Sequence, residues 1–141
     1  MKNESNKPVK TKAMPYDAML CTGLNDAAKS IHADARRKGF WDSERETGTL
    51  LMLCVSELSE ALEADREGRF ANIPLYDKES VCSGDIASFK LHIKDTFEDE
   101  LADTVIRLLD LCGARGINLE YHINEKLKYN RSRERMHGKA Y

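Results

Sequence analysis

Two pairs of acidic residues in this sequence have the spacing of a metal-binding site. Glu57 and Glu60 are three residues apart in one apolar segment, and Glu100 and Asp103 are three residues apart in another. Residues three apart lie on the same face of a helix, so the two carboxylates of each pair can bind one ion. Oxygen ligands of this kind favour Mg²⁺, or Mn²⁺ in its place, over zinc.

A single pair of this kind in a charged helical protein is usually just a solvent-exposed helix face. Two observations favour a site here. Only one residue separates Glu57 from the apolar run that extends from Leu50 to Val55. In addition, two pairs on consecutive helices can face one another, and four neighbouring carboxylates repel unless cations bind between them. The sequence therefore predicts a hard-cation site.

Positive charge is concentrated near the C-terminus. The segment from Lys126 to Lys139 contains six Lys and Arg residues and a single acid, whereas the whole chain has a formal net charge of -2. Such a segment is usually solvated or binds polyanions loosely. Opposite an acidic site that holds Mg²⁺, however, it is suited to a polyphosphate. Together, the two features favour a nucleoside triphosphate as substrate.

The composition is that of one modest globular domain. The chain has 141 residues, of which 41% are hydrophobic and 33% charged, so two ordinary domains and general disorder are both excluded. The longest uncharged apolar run is far shorter than a membrane span, and we expect a cytoplasmic protein without membrane contact. The four cysteines form no CxxC pair, which favours core packing over a disulfide framework or a zinc site.

Four long segments have the three-to-four-residue apolar period of α-helices, and none shows sustained strand alternation. The first extends from Asp17 to Lys38, and the second begins at a capping box of Ser43 and Glu46 and ends at Gly68. One stripe of the second helix is apolar and consists of Leu51, Val55, Leu58 and Leu62. The fold class is therefore predicted to be all-α.

The second half of the chain continues this pattern. Residues 69–84 lack periodicity and are interpreted as a loop with at most a short helical turn. A short helix then leads into the third long helix, which Thr96 and Asp99 can cap and which ends near Gly113; Asn118 can cap the fourth. Residues 1–15 have two prolines and almost no apolar residues, so we predict a flexible arm followed by a single domain over residues 16–141.

The ordered set of motifs resembles the MazG-like members of the all-α NTP pyrophosphatase superfamily. The hallmark of that family is E-E-x-x-E on one helix and E-x-x-D on the next. Its counterparts here are Ser56-Glu57-Leu-Ser-Glu60 and Glu100-Leu-Ala-Asp103. Further similarity is found in Lys38-Gly-Phe-Trp41, in Lys126-Leu-Lys-Tyr-Asn130 and in His137-Gly-Lys139. Two departures are that Ser56 replaces the first Glu and that the segment between the two motifs is longer than in the compact members.

This resemblance implies a four-helix MazG-like bundle that works as a homodimer or homotetramer. It implies Mg²⁺-dependent hydrolysis of a nucleoside triphosphate, either a deoxynucleotide or a modified nucleotide, to the monophosphate and pyrophosphate. The implied catalytic residues and metal ligands are Glu57, Glu60, Glu100 and Asp103, and one of these or Glu63 serves as base. The candidates for substrate contact are Trp41, Lys126, Asn130, Arg133 and Lys139. Trp41 either stacks on the base or plugs the core at a helix end.

Three other function classes are weighed against this one. A di-iron carboxylate bundle normally needs two Glu-x-x-His pairs, and the sequence has none. A nucleic-acid binder is disfavoured by the net charge, although the basic segment alone leaves it open. A non-catalytic all-α interaction module, whose acidic helix faces only keep it soluble, is the main alternative.

Overall fold

The structure, a computed structural model, describes residues 23–83 and 85–134, without the side chains of residues 81–83 and 85. Within these ranges every regular element is a helix and there is no strand, so the all-α prediction is confirmed for them. None of the described helices is both long enough and apolar enough to cross a membrane. The predicted arm over residues 1–15 lies outside the described residues. The helices are α1 (Leu24–Arg37), α2 (Thr47–Glu67), α3 (Ile73–Ser83), α4 (Asp85–His92), α5 (Phe97–Arg115) and α6 (Leu119–Ser132).

Several helix ends follow the sequence signals. The Thr96 side chain accepts a hydrogen bond from the Asp99 amide at the start of α5, and the Asn118 side chain accepts one from the Tyr121 amide at the start of α6. Gly68 ends α2 with a φ of 69°, a left-handed conformation in which a Cβ would be strained. These caps satisfy backbone groups that a helix end leaves without an intrahelical partner.

The prediction of a loop over residues 69–84 is wrong, because α3 occupies most of it. Asn72 and Pro74 were interpreted as loop residues, but both belong to a helix start. The Asn72 side chain accepts a hydrogen bond from the Leu75 amide at 3.2 Å, as an N-cap does. Pro74 lies in the first turn of α3, where its missing N–H costs no intrahelical bond.

The capping box predicted at Ser43 and Glu46 is also wrong. α2 begins only at Thr47, after Glu46, and no side chain caps this end. The segment before it is held on the other helices instead: Trp41 donates a hydrogen bond to Asp110 of α5. The Arg45 guanidinium lies 5.8 Å from the centre of the Trp41 ring.

α5 is the central helix, and α1 and α2 pack against it on opposite sides. Both run antiparallel to α5. On one side, Ala28 of α1 packs beside Gly113 of α5. On the other, α2 meets α5 where Arg107 bonds Glu57. The small core near α1 contains Ala28, Leu109 and Cys112. Because α2 and α5 share a face, the two acid pairs of the sequence come together.

Gly113 lies inside α5 and does not end it; Gly116, with a φ of 62°, follows as the C-cap. The reason is the close crossing of α1. A Cβ at position 113 would lie 2.5 Å from the Ala28 carbonyl oxygen and 2.7 Å from the Cβ of His32. A side chain there would push the two helices apart.

We therefore expect Gly113→Ala to lower the free energy of unfolding by about 1 to 3 kcal/mol, because the added methyl group overpacks a backbone contact. Thermal unfolding followed by circular dichroism measures this change. Gly48→Ala is the matched control, since a Cβ at Gly48 meets nothing within 4 Å. The control should be as stable as the parent or slightly more stable, because Ala is the better helix former. Equal melting temperatures for the two variants would contradict the close crossing.

The apolar stripe of α2 points out of the single chain. The face that packs on α5 contains Leu50, Glu57, Ala61 and Ala64, whereas Leu58 on the stripe is 49% exposed. α5 has a corresponding exposed stripe. We call the two stripes together the apolar face; its members are Leu51, Val55, Leu58 and Leu62 of α2 and Leu101, Val105 and Leu108 of α5.

Helix geometry places both stripes on one side of the α2–α5 pair. At about 100° per residue, each stripe lies roughly a third of a turn from the shared contact, in the same rotational sense. Because the two helices are antiparallel, an equal rotation leads to the same side of the pair. Glu60 and Asp103 are reached by rotating the other way. The apolar face and the acidic side chains therefore lie on opposite sides of the pair.

α3 and α4, which lie between α2 and α5 in the sequence, pack on each other as a helical hairpin. Inside it, buried Ser88 donates a hydrogen bond to the Tyr76 carbonyl at 3.3 Å. The base of the hairpin is closed by two backbone bonds, from the Asn72 amide to the His92 carbonyl and from the Phe97 amide to the Arg69 carbonyl, each 2.9 Å long. Its two ends therefore leave and rejoin the rest of the fold close together.

Candidate metal centre

Three of the four acids predicted as metal ligands converge. Glu57 and Glu60 of α2 and Glu100 of α5 each offer a carboxylate oxygen, and these oxygens lie within 4.8 Å of one another. Glu57 and Glu100 are buried, whereas Glu60 is exposed at the edge. We call these three residues the carboxylate cluster. Its position follows from α2 and α5 sharing a face, which brings residues distant in sequence to one point.

Asp103, the fourth predicted ligand, lies one helical turn after Glu100 and is half-buried. It is not one of the three residues whose oxygens lie within 4.8 Å of one another. It is nevertheless within their electrostatic reach. Burial raises the pKa of its carboxyl group, and the negative charges of Asp99 and Glu57 raise it further. A cation bound at the carboxylate cluster would therefore act on Asp103 as well.

Glu100 is the most strongly perturbed acid in the described part of the chain. Burial raises its pKa to about 7, and a hydrogen bond with Glu57 and the charge of Glu60 contribute in the same direction. With only 5% of the residue exposed, water stabilises its charged form poorly. At neutral pH the metal-free chain therefore exists as a mixture of protonated and ionised Glu100.

Arg107 is a functional candidate that sequence analysis missed. Its Nε atom donates a hydrogen bond to Oε1 of Glu57 at 2.6 Å, and its Nη2 atom forms an ion pair with the same oxygen at 2.5 Å. The signal was present in the sequence, because a residue seven positions after Glu100 falls on the same face of a helix. Interpreting that face as purely acidic concealed the positive charge within it.

A second group of acids surrounds the start of α5. Oxygens of Asp95, Asp99 and Glu100 also lie within 4.8 Å of one another. Here the local structure accounts for the acids. The Asp99 side chain accepts a hydrogen bond from the Asp95 amide at 3.0 Å, and Lys94 forms an ion pair with Asp95. Acids in the first turn are also stabilised by the helix dipole, so this group is explained as the N-terminal cap of α5.

Trp41 lies on the same side of α5 as Asp103. Its indole N–H donates to both carboxylate oxygens of Asp110 at 3.0 Å, and the ring of His32 meets it edge to face with centroids 5.0 Å apart. Asp110 is two helical turns beyond Asp103, or about 10.5 Å along the axis. The sequence-based prediction that Trp41 contacts a nucleotide base stays a prediction, but its place beside the acidic side chains is compatible with it.

The predicted substrate contacts of α6 are not brought to the carboxylate cluster within one chain. α6 packs on α1, where the Asn25 amide donates to Glu120. The start of α6 follows the C-terminal end of α5, which is about 24 Å along the helix axis from Glu100. Lys126 and Arg133 both lie against the Tyr129 ring, 5.0 and 5.7 Å from its centre, and Asn130 is half-buried. Lys139 lies outside the described residues.

Comparisons of the chain with protein-family models, with curated proteins and with solved structures find no match. The motifs and the geometry of the described residues are therefore what supports a function for this protein. Those residues define an all-α chain in which buried and exposed carboxylates converge beside an arginine.

Proposed function

We propose that the protein is a MazG-like pyrophosphohydrolase that cleaves a nucleoside triphosphate to the monophosphate and pyrophosphate. The observation that carries this proposal is the convergence of Glu57, Glu60 and Glu100 from two helices. A buried carboxylate with a raised pKa beside other acids, as at Glu100, is a candidate for a functional site. This chemistry is compatible with two roles, the removal of a modified nucleoside triphosphate and the control of a deoxynucleotide pool.

The donor set fits Mg²⁺. All three members of the carboxylate cluster are hard oxygen ligands without histidine or cysteine among them, which is the chemistry of Mg²⁺ or Mn²⁺. Ligand oxygens lie about 2.1 Å from Mg²⁺, so two on opposite sides of the ion are about 4.2 Å apart. The three oxygens of the carboxylate cluster lie within 4.8 Å of one another, so they are close enough to bind one such ion together.

A bound Mg²⁺ supplies a counter-charge for the phosphates and lowers the pKa of water. The protein's own residues supply the rest. Arg107 neutralises the Glu57 carboxylate and holds it in place before a cation binds. Asp103 lies beside the carboxylate cluster, and its raised pKa moves it towards the range of a general base at neutral pH. Glu63, exposed one turn beyond Glu60, is the remaining candidate for that role.

The base end of the substrate is assigned to Trp41. Trp41 is half-buried and lies about two helical turns from Asp103 on one side of α5. A nucleotide bound by its phosphates at the carboxylate cluster can extend along this side towards the indole. Because Asp110 holds the indole N–H, the orientation of the ring is fixed before a base binds.

Self-association completes the proposal, with a homodimer or homotetramer built on the apolar face. Seven large apolar side chains, each 38% to 49% exposed, make up this continuous surface. Surfaces of that kind on small proteins mark interaction sites. Burying them against a second copy would bring four helices together, α2 and α5 of each chain. The assembly is also the means by which the basic residues of α6 reach phosphate, since they lie apart from the carboxylate cluster in one chain.

Leu58→Glu is expected to shift the protein towards the monomer, because it places a charge at the centre of the apolar face. Sedimentation velocity over a range of concentrations measures the mass. The control is Ser59→Glu, the same new side chain one residue further along α2 and off the stripe. The control should keep the parent mass. If the parent itself sediments as a monomer at every concentration, the apolar face does not bind a second copy.

The direct test of the function is a product analysis. Purified protein with Mg²⁺ is screened against common and modified nucleoside and deoxynucleoside triphosphates, and the early products are separated. The proposal requires monophosphate and pyrophosphate in equal amounts, with orthophosphate only after an added pyrophosphatase. Direct release of orthophosphate would assign the protein to another reaction class, even if the acids proved essential.

The alternative, a non-catalytic interaction module, is favoured by the apolar face alone. That surface needs a partner whether or not the chain is an enzyme. The two functions differ in metal binding, because an interaction module has no use for a cation at the carboxylate cluster. Equilibrium titration with Mg²⁺ should show a saturable site that Glu60→Ala removes if the protein is a pyrophosphohydrolase, and no such site if it is only a module.

A further inference from the structure

Arg107 is a cation placed at the edge of a group of buried acids. Its guanidinium is bonded through two nitrogens to a single oxygen of Glu57, and the side chain of Glu57 is only 7% exposed. Arg107 itself is 40% exposed. The guanidinium therefore covers the buried carboxylate from the solvent side. It occupies one of the two oxygens of a carboxylate that belongs to the carboxylate cluster.

Negative charges predominate around the pair of Arg107 and Glu57. Glu57, Glu60, Glu100, Asp99 and Asp103 interact through their charges near the start of α5, and Arg107 is the cation that lowers the pKa of Asp103. A buried carboxylate left without a partner is strongly unfavourable, so Glu57 needs Arg107 as long as no other cation is present. A divalent ion supplies the same compensation with twice the charge. Metal and guanidinium are thus alternative partners of one carboxylate, that of Glu57.

We propose that Arg107 is the exchangeable counter-ion of the carboxylate cluster: it neutralises Glu57 in the metal-free chain and moves to the triphosphate when a divalent cation takes its place. This inference rests on the proposed function, because it requires the metal and the polyphosphate. It adds a positioning role for a residue outside the acidic motifs.

The side chain has the properties that such an exchange needs. The parallel N–H donors of a guanidinium match the spacing of the oxygens in a carboxylate and in a phosphate alike. Its partial exposure leaves a path to solvent that a buried ion pair would lack. Arg107 also lies one turn beyond Asp103 on the same helix, so a released guanidinium remains beside the acids that bind the metal.

The exchange couples the two ligands. Metal binding frees Arg107 for phosphate, and phosphate binding removes Arg107 from competition with the metal. By thermodynamic linkage each ligand must then raise the affinity for the other by the same factor. A residue that only supports the fold would not produce this reciprocity.

The test measures Mn²⁺ binding alone and the binding of a non-hydrolysable triphosphate at saturating Mn²⁺, at pH 8. Electron paramagnetic resonance of free Mn²⁺ and calorimetry follow the two steps. Arg107→Gln should bind Mn²⁺ alone about five- to tenfold more tightly than the parent and the triphosphate at least about tenfold more weakly. Arg115→Gln, which removes a charge two turns away where it bonds Thr47, should leave both affinities near the parent values.

Opposite signs of the two changes are the decisive outcome. If Arg107→Gln binds Mn²⁺ no more tightly than the parent, or binds the triphosphate equally well, the exchange is wrong. If the Gln variant loses its helical signal, Arg107→Lys replaces it. Lysine keeps the charge but not the two-nitrogen bond, so it should show the same opposite changes at smaller size, and a loss of both affinities would overturn the role. A parent that binds no Mn²⁺ would instead overturn the proposed function and this inference together.

Discussion

A chain that carries both Glu100→Gln and Asp103→Asn is expected to lose at least about a hundredfold in turnover while keeping its helical fold. Each replacement preserves shape and deletes a carboxylate charge beside the bound cation. Metal ions contribute several kcal/mol of charge stabilisation in such reactions, and each 1.36 kcal/mol corresponds to about a factor of ten in rate. Steady-state kinetics with the best substrate of the product screen measures the loss.

The matched control carries the same two kinds of change at exposed acids outside the carboxylate cluster, Glu125→Gln and Asp65→Asn. It should retain the parent rate, because neither residue lies near the metal. Circular dichroism of both variants separates loss of chemistry from loss of fold. A double variant at Glu100 and Asp103 that turns over near the parent rate would refute the site assignment.

The second large effect expected is a fall in the stability of the metal-free protein as pH rises from about 5 to 8. The pKa of Glu100 is raised to about 7 in the folded chain, above the ordinary value of 4.5 that it regains on unfolding. Between these values the folded state holds a proton that the unfolded state has lost, so each rise in pH favours unfolding. The raised pKa of Asp103 acts in the same direction.

Thermal unfolding in EDTA at a series of pH values tests this effect. The parent should melt at a lower temperature at pH 8 than at pH 5.5, and Glu100→Gln should remove much of that difference because it cannot ionise. Mg²⁺ should restore the parent at pH 8, since a cation that binds only the folded chain stabilises it. Identical pH profiles for parent and variant would show that Glu100 is not the acid responsible.

The sequence was most informative where a local rule decides the outcome. Thr96 and Asn118 cap helices because their side chains reach an amide three residues on, and that requires no knowledge of the fold. The pairing of Glu57 with Glu60 and of Glu100 with Asp103 follows from helix period alone. Their convergence across α2 and α5 was predicted from consecutive helices, and the structure brings three of the four acids together.

The errors arise where contacts distant in sequence decide. Gly113 looked like a helix end, yet it is required by the approach of Ala28 from another helix. Periodicity located the Leu58 stripe but could not show that small residues, Ala61 and Ala64, are the ones that pack on α5. Arg107 was not singled out, because its meaning depends on Glu57, fifty residues earlier. Periodicity identifies an apolar face but not what covers it.

The closed base of the α3–α4 hairpin has a consequence for how the chain tolerates change. Two backbone hydrogen bonds join the ends of the hairpin. The distance between the end of α2 and the start of α5 therefore does not depend on the length of the hairpin. Closing this loop costs conformational entropy. The contacts between α3 and α4 offset much of that cost within the hairpin. Insertions or deletions in this segment can therefore accumulate through descent without altering the spacing of the acids on either side. A connecting segment of this kind, closed at its base, is one that evolution can lengthen at little cost to the fold.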